Sequence, residues 1–258
     1  MENKTIILLA VILSTSLVTM YINGQVTSAQ TLASDTAIPL KEAKLNIEHN
    51  VKDKDTGFQG FIDSEGWNTI TATGPDGVVL NFSGIGNLGQ LGLTELFFET
   101  VEPENADVSI DEILKVLPEG EYQFKGSAIE NGEEQGETIG TALLTHNIPQ
   151  GPDLLSPVEN DTVSADEDLL VRWGQVNKTI DNSDINIIAY QLIIEKDEDP
   201  RTNMIGKMGL SMYLPSNVQE ITIPSEFLEP GTDYKWEVLA IEESGNQSLN
   251  SSQFSVST

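Results

Sequence analysis

The sequence predicts an all-β protein made of two tandem β-sandwich domains, with one short helix in the first domain, after an N-terminal signal sequence. Three observations lead to this architecture. Apolar and polar residues alternate with a period of two along most of the chain beyond residue 44. Turn-forming residues separate these runs at short intervals, which is typical of sandwiches. A segment rich in Pro and Gly near residue 150 divides the chain into two parts.

Residues 1–29 have the pattern of a secretion signal. Lys4 lies in a short polar start, an uncharged apolar run follows over residues 5–22, and residues 27–29 form a small-x-small cleavage pattern. A helix over the apolar run is about 27 Å long, which leaves a retained membrane anchor as the alternative. Residues 30–43 are predicted to be a polar tether. Both interpretations place the rest of the chain outside the cytoplasm, as a secreted or cell-surface protein.

The composition excludes several classes of function. The chain has 13 basic and 41 acidic residues and a formal net charge of -28 at pH 7. Such a surface repels nucleic acid and anionic lipid, so we expect no nucleic-acid partner and membrane contact only through an uncleaved N-terminal segment. The chain has no cysteine, which removes disulfides, thiolate metal sites and cysteine catalysis.

The first domain is predicted to span residues 44–149. The run KLNIEH alternates from its first residue, and ITATGPDGVVLNF and EYQFKGSAIENGEEQGETIGTALLTHNI are typical of hairpins, the second with Asn131-Gly132 near its tip. The run SIDEILKVLP predicts the helix. Ser109 and Glu112 have the spacing of a capping box, and Pro118 ends the apolar face.

The second domain is predicted to span residues 150–258. Its strands alternate clearly, and a turn before the last long run is followed by a tyrosine, which suits a tyrosine corner. This half resembles a fibronectin type III domain, an immunoglobulin-like sandwich. The resemblance depends on six residues to which we assign structural roles: Trp173, Tyr190, Leu228, Pro230, Gly231 and Tyr234.

The whole chain also resembles secreted prokaryotic fibronectin type III domain-containing proteins of unassigned function. The runs that carry this wider resemblance are GFQGFIDSEGW, GLTELFFE, PEGEYQF and LTHNIPQGP. The resemblance implies a binding or spacing role and brings no catalytic activity with it. The chain lacks the Arg-Gly-Asp adhesion tripeptide of some family members, so that mode of recognition is not implied.

The sharpest chemical feature is the acidic run DKDTGFQGFIDSEGW. Asp53, Asp55, Asp63 and Glu65 offer the oxygen ligands that calcium prefers, and the glycines between them would let the backbone bend around an ion. The spacing departs from that of an EF-hand. The alternative is a polar turn between two strands. Calcium is the one cofactor that the sequence suggests.

The predicted function is a non-catalytic binding or spacer role toward an extracellular protein or an envelope polysaccharide. One alternative is a carbohydrate-binding module, in which Trp67 and the acidic run contact the sugar. A hydrolase with its site in the first domain is the other alternative, although no catalytic residues can be assigned. Outside the signal sequence, five Asn-x-Ser/Thr sequences are candidate glycan acceptors: Asn81, Asn160, Asn177, Asn246 and Asn250.

Overall fold

The structure is a computed structural model that describes residues 37–257. The signal sequence or anchor and the first half of the tether, residues 30–36, lie outside the described residues and stay predictions. The described half of the tether differs from a free polar segment, because Ile38–Pro39 and its residues from Glu42 onward are β-strand. Within residues 37–257, no helix combines the length and apolar character needed to cross a membrane. We refer to residues 37–149 as the N-terminal half and to residues 150–257 as the C-terminal half.

The described chain is mostly β-strand, as predicted. The strands of the N-terminal half are β1 (Ile38–Pro39), β2 (Glu42–Asn50), β3 (Asp55–Gly74), β4 (Gly77–Ser83), β5 (Leu93–Glu99), β6 (Gly120–Glu130) and β7 (Glu133–Leu144). Those of the C-terminal half are β8 (Leu154–Ser156), β9 (Asp161–Val163), β10 (Leu169–Trp173), β11 (Ile187–Lys196), β12 (Gly209–Pro215), β13 (Glu220–Ile223), β14 (Asp233–Glu242) and β15 (Gln247–Val256). The helices are α1 (Asn87–Leu91) and α2 (Ile110–Leu114), with a single 3-10 turn at Ser225–Phe227.

Strand β3 organises the N-terminal half because it takes part in both of its layers. Its first part, residues 55–63, pairs with β2 on one edge, and residues 59–63 pair with β5 on the other. Its second part, residues 69–73, pairs with β6 and β4. The register shifts between Asp63 and Thr69, where the strand leaves one set of partners for the other.

The core of this half lies between the β2 side and the β6–β7 side. It is built from the inward residues of the alternating strands: Leu45, Ile47, Phe58, Ile62, Ile70, Ala72, Tyr122, Phe124, Ala142 and Leu144. Both predicted hairpins are present. Asn131 and Gly132 connect β6 to β7 with φ of 53° and 81°, the two positive values that a type I′ turn requires.

The helix content differs from the prediction of one helix. Helix α2 is the predicted one, and the Ser109 backbone N–H and hydroxyl both donate to the Glu112 carboxylate, at 3.1 and 2.8 Å. It packs on the core through buried Ile113. Helix α1, which the prediction of one helix does not include, lies in the glycine-rich run after β4. Its single turn is closed by backbone bonds from Gln90 and Gly92, and a helix this short leaves no periodic pattern to read.

The C-terminal half is a sandwich of two facing sheets. Strands β8, β10 and β13 form the three-stranded sheet, and β15, β14, β11 and β12 lie side by side in the other. The core between them contains Trp173, Tyr190 and Trp236, all at most 1% exposed. The rings of Trp173 and Tyr190 meet edge to face with centroids 5.8 Å apart, a geometry that aromatic pairs favour.

One sheet runs through both halves. Strand β2 pairs in parallel with the start of β15, with Glu48 opposite Gln247 and Asn50 opposite Leu249. Strand β9 pairs in parallel with the end of β15. Both parts of this edge of β15 are therefore paired. An exposed edge strand can pair with another chain and cause aggregation, and this edge is protected from that. We call the contact around β2 and β15 the joint; it comprises residues 46–52, 145–152 and 246–252.

Candidate functional site

The four acidic residues proposed as calcium ligands do not converge. Asp53 lies in the turn before β3, Asp55 is the first residue of β3, and Asp63 and Glu65 lie farther along the same strand. The pairing with β2 is regular throughout this part of β3, and eight residues of extended strand span about 26 Å. Calcium ligands lie about 2.3–2.6 Å from the ion, so this set does not fit one calcium ion and the prediction is corrected.

The start of the acidic run is a local polar turn, the alternative that the sequence left open. The Asn50 side-chain oxygen accepts the backbone N–H groups of Lys52 and Asp53, both at 3.1 Å, and its amide donates to the Asp53 carboxylate at 2.9 Å. Glu65 forms an exposed ion pair with Lys41 at 3.0 Å. Lys54 continues the turn with φ of 59°. The hydrogen bonds of the Asn50 side chain therefore stabilise the chain reversal between β2 and β3.

Trp67 is a core residue and not an exposed ligand contact. It is fully buried, and it packs within the N-terminal core. Its indole N–H points to the Thr94 carbonyl at 3.4 Å. A sugar stacks on an aromatic face that solvent can reach, so this structure removes Trp67 from the candidate ligand-binding residues. The sequence could not reveal this because Trp67 lies where the register of β3 shifts and simple alternation fails.

The residues with predicted structural roles in the C-terminal half are placed around its core. Trp173 and Tyr190 are buried, and the Tyr190 hydroxyl accepts the backbone N–H of Val176 at 2.8 Å. This bond ties the segment after β10 to the middle of β11. Pro230 and Gly231 form the turn before β14, with Gly231 at φ of 71°, a value that glycine adopts without strain.

Tyr234 has the geometry of a tyrosine corner. Its hydroxyl accepts the backbone N–H of Glu229 at 3.1 Å and donates to the Phe227 carbonyl at 3.2 Å. Leu228, between these two partners, is 6% exposed and packs in the core. The tyrosine thus holds the connection between the two sheets against the start of β14.

Asn246 is the central side chain of the joint. It is fully buried, and its Oδ1 accepts the backbone N–H of Ile47 at 2.8 Å. Its Nδ2 donates to the Thr145 carbonyl and hydroxyl at 2.9 and 3.0 Å and to the Asn147 carbonyl at 3.2 Å. One amide therefore satisfies backbone groups of two N-terminal segments that would otherwise be buried without partners. In the folded protein this residue is not available as a glycan acceptor.

Further polar contacts extend the joint on both sides of Asn246. The Ser248 hydroxyl donates to the Pro149 carbonyl at 2.6 Å, and the Asn250 amide donates to the Pro152 carbonyl at 3.1 Å. Lys52 forms an ion pair with Glu159 at 3.1 Å. These bonds hold the connecting segment between the halves along β15, so this segment is not a free linker.

The joint also contains a close apolar contact, between Val51 and Gly151. The backbone N–H of Val51 donates to the Leu249 carbonyl at 2.9 Å, which extends the parallel pairing of β2 and β15. The Val51 side chain fills the space above Gly151, where an added Cβ would stand 2.3 Å from the Val51 Cγ2 atom. Glycine at position 151 therefore lets the hairpin between β2 and β3 approach the connecting segment.

A cluster of three carboxylates borders the joint. Oxygen atoms of Glu48, Glu99 and Glu102 all lie within 4.8 Å of one another. Glu48 is 8% exposed and its carboxylate accepts the Gln247 side-chain amide. That amide also donates to the Gln59 side-chain oxygen at 3.0 Å. We call Glu48, Glu99 and Glu102 the carboxylate cluster.

The environment of the carboxylate cluster disfavours full ionisation. Burial, together with the negative charges of Glu48, Glu99 and Asp55, raises the pKa of Glu102 to about 7. Burial also raises the pKa of the Glu48 and Asp55 carboxyls above their ordinary values. Burial and repulsion between neighbouring negative charges therefore favour a proton on Glu102 over full ionisation of the cluster.

The two histidines are held apart in structural hydrogen bonds. His49 Nδ1 lies 2.9 Å from the Thr56 hydroxyl, and burial lowers the pKa of its imidazole. His146 Nε2 lies 2.9 Å from the Leu117 carbonyl. His49 and Thr56 are both buried, so solvent has little access to this pair.

The joint and the carboxylate cluster were not found by sequence reasoning. Asn246 had been noted only as a candidate glycan acceptor, and Glu48 only as a polar residue of an alternating strand. Their roles arise from contacts with residues about 200 positions away, such as the bond between Ile47 and Asn246 with a separation of 199 residues. No local pattern in the sequence carries that signal.

Comparison with known proteins finds only distant structural similarity. No protein-family model matches the chain, and no curated protein matches it. The fibronectin(III)-like modules of Clostridium thermocellum CbhA align with 84% of this chain and 93% of that chain, with 13% identity and a TM-score of 0.33. A segment of two fibronectin type III domains from chicken tenascin aligns with 83% of this chain and 97% of that chain, with 11% identity and a TM-score of 0.27.

A third solved structure belongs to a 1.5-MDa bacterial ice-binding adhesin. It covers 86% of this chain and 66% of that chain, with 10% identity and a TM-score of 0.28. At TM-scores this low, the matches carry no argument about what this chain binds or does. The two facing sheets of the C-terminal half and the corner at Tyr234 are those of a fibronectin type III-like sandwich.

Proposed function

We propose that this chain is a secreted or cell-surface protein with a non-catalytic role, a rigid spacer that holds a binding face at a fixed distance and orientation. The observation that carries the proposal is the joint. Two sandwiches linked in tandem are free to move unless a large contact fixes them. Here β2 and β15 belong to one sheet, and the buried amide of Asn246 bonds both halves. A rigid connection serves spacing and not the opening and closing that a cleft between domains needs.

The charge and the histidines support a non-catalytic role. A net charge of -28 keeps an exported protein soluble and favours partners of opposite charge. Both histidines are engaged in structural bonds, which leaves them poorly placed as general bases. The carbohydrate-binding alternative loses its main support because Trp67 is buried and the acidic run is spread along a strand.

We place the binding face on the outer side of β2, β3 and β5. There Lys44, Phe61 and Phe97 lie in one row across the three strands, and Phe97 is 58% exposed. The next row is acidic, with Glu42, Asp63 and Glu95. Exposed aromatic residues beside charges are typical of protein interfaces, and the acidic row suits a protein partner with a basic surface.

The rigidity is tested by nuclear magnetic resonance on the soluble chain. Residual dipolar couplings of amides in β6 and in β14 are measured in one alignment medium. A single alignment tensor is expected to fit both sets, because the joint fixes the two cores. Two tensors of different magnitude would show independent motion and would refute the spacer role.

The location and the binding face are tested on intact source cells. Surface protease treatment is expected to remove the protein, and crosslinking followed by identification is expected to capture a basic extracellular protein. Phe97→Ala is expected to abolish this capture, whereas Tyr213→Ala, which removes a residue 70% exposed on β12, leaves it unchanged. Protection from the protease, capture of polysaccharide alone, or capture that Phe97→Ala does not alter would contradict the proposal.

A further inference from the structure

The carboxylate cluster is joined to the C-terminal half by a chain of hydrogen bonds. Gln247 of β15 donates to Glu48 and, at 3.0 Å, to Gln59. Gln59 in turn donates to Glu99 at 3.2 Å. A change in the charge of the cluster therefore acts directly on side chains that connect β2, β3 and β5 to β15.

The third acid of the cluster is held close by packing. Glu102 lies over Gly57, where an added Cβ would stand 2.7 Å from the Glu102 Cγ atom. Its Oε1 atom is buried and accepts no hydrogen bond from the part of the chain that the structure describes. A carboxyl group that carries a proton can donate to a neighbouring carboxylate, whereas ionised carboxylates only accept. One proton would thus remove a repulsive charge from the cluster and add a hydrogen-bond donor within 4.8 Å of the other two carboxylates.

The other charged groups around the carboxylate cluster do not neutralise its negative charge. Glu237 on β14 adds negative charge near Glu48, and its own cationic partner is Lys235, at 2.7 Å. Asp55, at the start of β3, adds negative charge near Glu102 and itself faces Asp53 and Glu104. Apart from Lys235, which is paired with Glu237, the groups named here on β3, β14 and β15 are acids and neutral amides.

We propose that the carboxylate cluster is a proton-operated lock. Uptake of one proton by Glu102 or Glu48 tightens the joint in mildly acidic surroundings, and its loss loosens the joint at alkaline pH. The inference concerns the joint itself and holds whatever partner the protein has. It goes beyond the spacer role because it makes the stiffness of the spacer depend on its surroundings.

The sign follows from the two states of the chain. The folded protein holds the proton up to about pH 7, whereas the unfolded chain releases it near the ordinary value of 4.5. Between these values the folded state binds more protons, so its stability falls as the pH rises. Glu102 is only partly buried, and screening by solvent reduces the effect. We expect the folding equilibrium constant to fall about tenfold between pH 5 and pH 8 through this cluster.

The test compares the full chain with Glu102→Gln, and with Glu121→Gln as a control for the loss of one exposed negative charge on β6. Melting temperatures are recorded at pH 5, 6, 7 and 8. Between pH 5 and pH 8, the fall in melting temperature is expected to be about 3–5 °C smaller in Glu102→Gln than in the wild type. This difference is the tenfold change in the folding equilibrium constant expressed as a melting shift. The Glu121→Gln variant is expected to keep the wild-type slope. Glu99→Gln, at an exposed position of the carboxylate cluster, is a second variant for the same comparison of melting temperatures.

A local measurement separates the lock from general charge repulsion. The backbone N–H groups of Ile47 and Val51 bond across the joint. After correction for intrinsic exchange, their hydrogen-exchange protection is expected to fall from pH 6 to pH 8 in the wild type and to stay constant in Glu102→Gln. Equal pH slopes in wild type and Glu102→Gln, or unchanged protection across the joint, would overturn the proposal. A melt at pH 8 that responds to calcium and to chelator through Glu102 would overturn it in favour of a cation site.

Discussion

Replacement of Asn246 by alanine is expected to weaken the joint more than any surface substitution. The alanine leaves the Ile47 backbone N–H buried without its acceptor, since Ile47 itself is fully buried. A buried donor without a partner costs about 1–3 kcal/mol. The carbonyls of Thr145 and Asn147 also lose a donor, each worth about 0.5–1.5 kcal/mol. Together these losses predict a destabilisation of about 3 kcal/mol.

The change is large enough to measure by simple melting. For a chain of this size, 1 kcal/mol shifts the melting temperature by about 2–4 °C, so Asn246→Ala is expected to melt about 6–12 °C below the wild type. Asn81→Ala is the matched control. Asn81 is exposed on β4; its Nδ2 donates to the Thr71 hydroxyl at 2.9 Å, and its Oδ1 accepts the Ser83 hydroxyl at 3.4 Å. Its replacement is expected to change the melting temperature by less than about 2 °C.

A second substitution at the same site tests the direction of the hydrogen bonds. Asn246→Asp keeps an acceptor for the Ile47 N–H but replaces the donor to Thr145 and Asn147 with an oxygen. An ionised carboxylate there would face two carbonyl oxygens in a buried site, which is costly. We expect Asn246→Asp to be at least as destabilised as Asn246→Ala at pH 8 and to recover in part near pH 5. Melting of both variants within 2 °C of the wild type would refute the central role of this amide.

Three further predictions test other parts of the structure. Tyr234→Phe removes both bonds of the corner hydroxyl and is expected to cost about 1 kcal/mol, or about 2–4 °C of melting temperature, whereas Tyr213→Phe on the exposed side of β12 should melt with the wild type. Gly151→Ala pushes a methyl group into Val51 and is expected to lower the folding stability by about 1–3 kcal/mol. Faster hydrogen exchange of the Val51 backbone amide is the local measurement. Because the acids of the predicted loop are spread along β3, chelator should leave the melting temperature unchanged, and a drop that Asp55→Ala abolishes would contradict the corrected view.

The sequence was most informative where structure is local. A period of two identified strands such as β2, β11 and β14, and turn residues identified both hairpins of the N-terminal half. The capping pair Ser109 and Glu112 located helix α2. In each of these cases neighbouring residues supply most of the interactions, so a short window of sequence contains the needed information.

The sequence misled where one strand changes its partners. The acidic run looked like a loop because its glycines and carboxylates are common in loops. In the structure Gly57 and Gly60 are strand residues whose bare faces accept the side chains of Glu102 and Phe98. Glycine in a strand often marks a site where another group approaches closely. The residues that approach come from β5 and the segment after it, about 40 positions away, and single-strand patterns carry no trace of them.

The joint connects the two halves by contacts of a different kind from those inside each half. Each half encloses its own hydrophobic cluster, whereas the contacts between the halves are largely hydrogen bonds of Asn246, Gln247, Ser248 and Asn250 with backbone and side-chain groups. Polar contacts add less stability per residue than apolar burial, but they fix direction and register. A joint built in this way is stiff while every bond is made and weakens sharply when one group changes its charge. Glu48 accepts the Gln247 amide directly, so under the proposed lock a charge change in the carboxylate cluster reaches this set of polar contacts through one hydrogen bond.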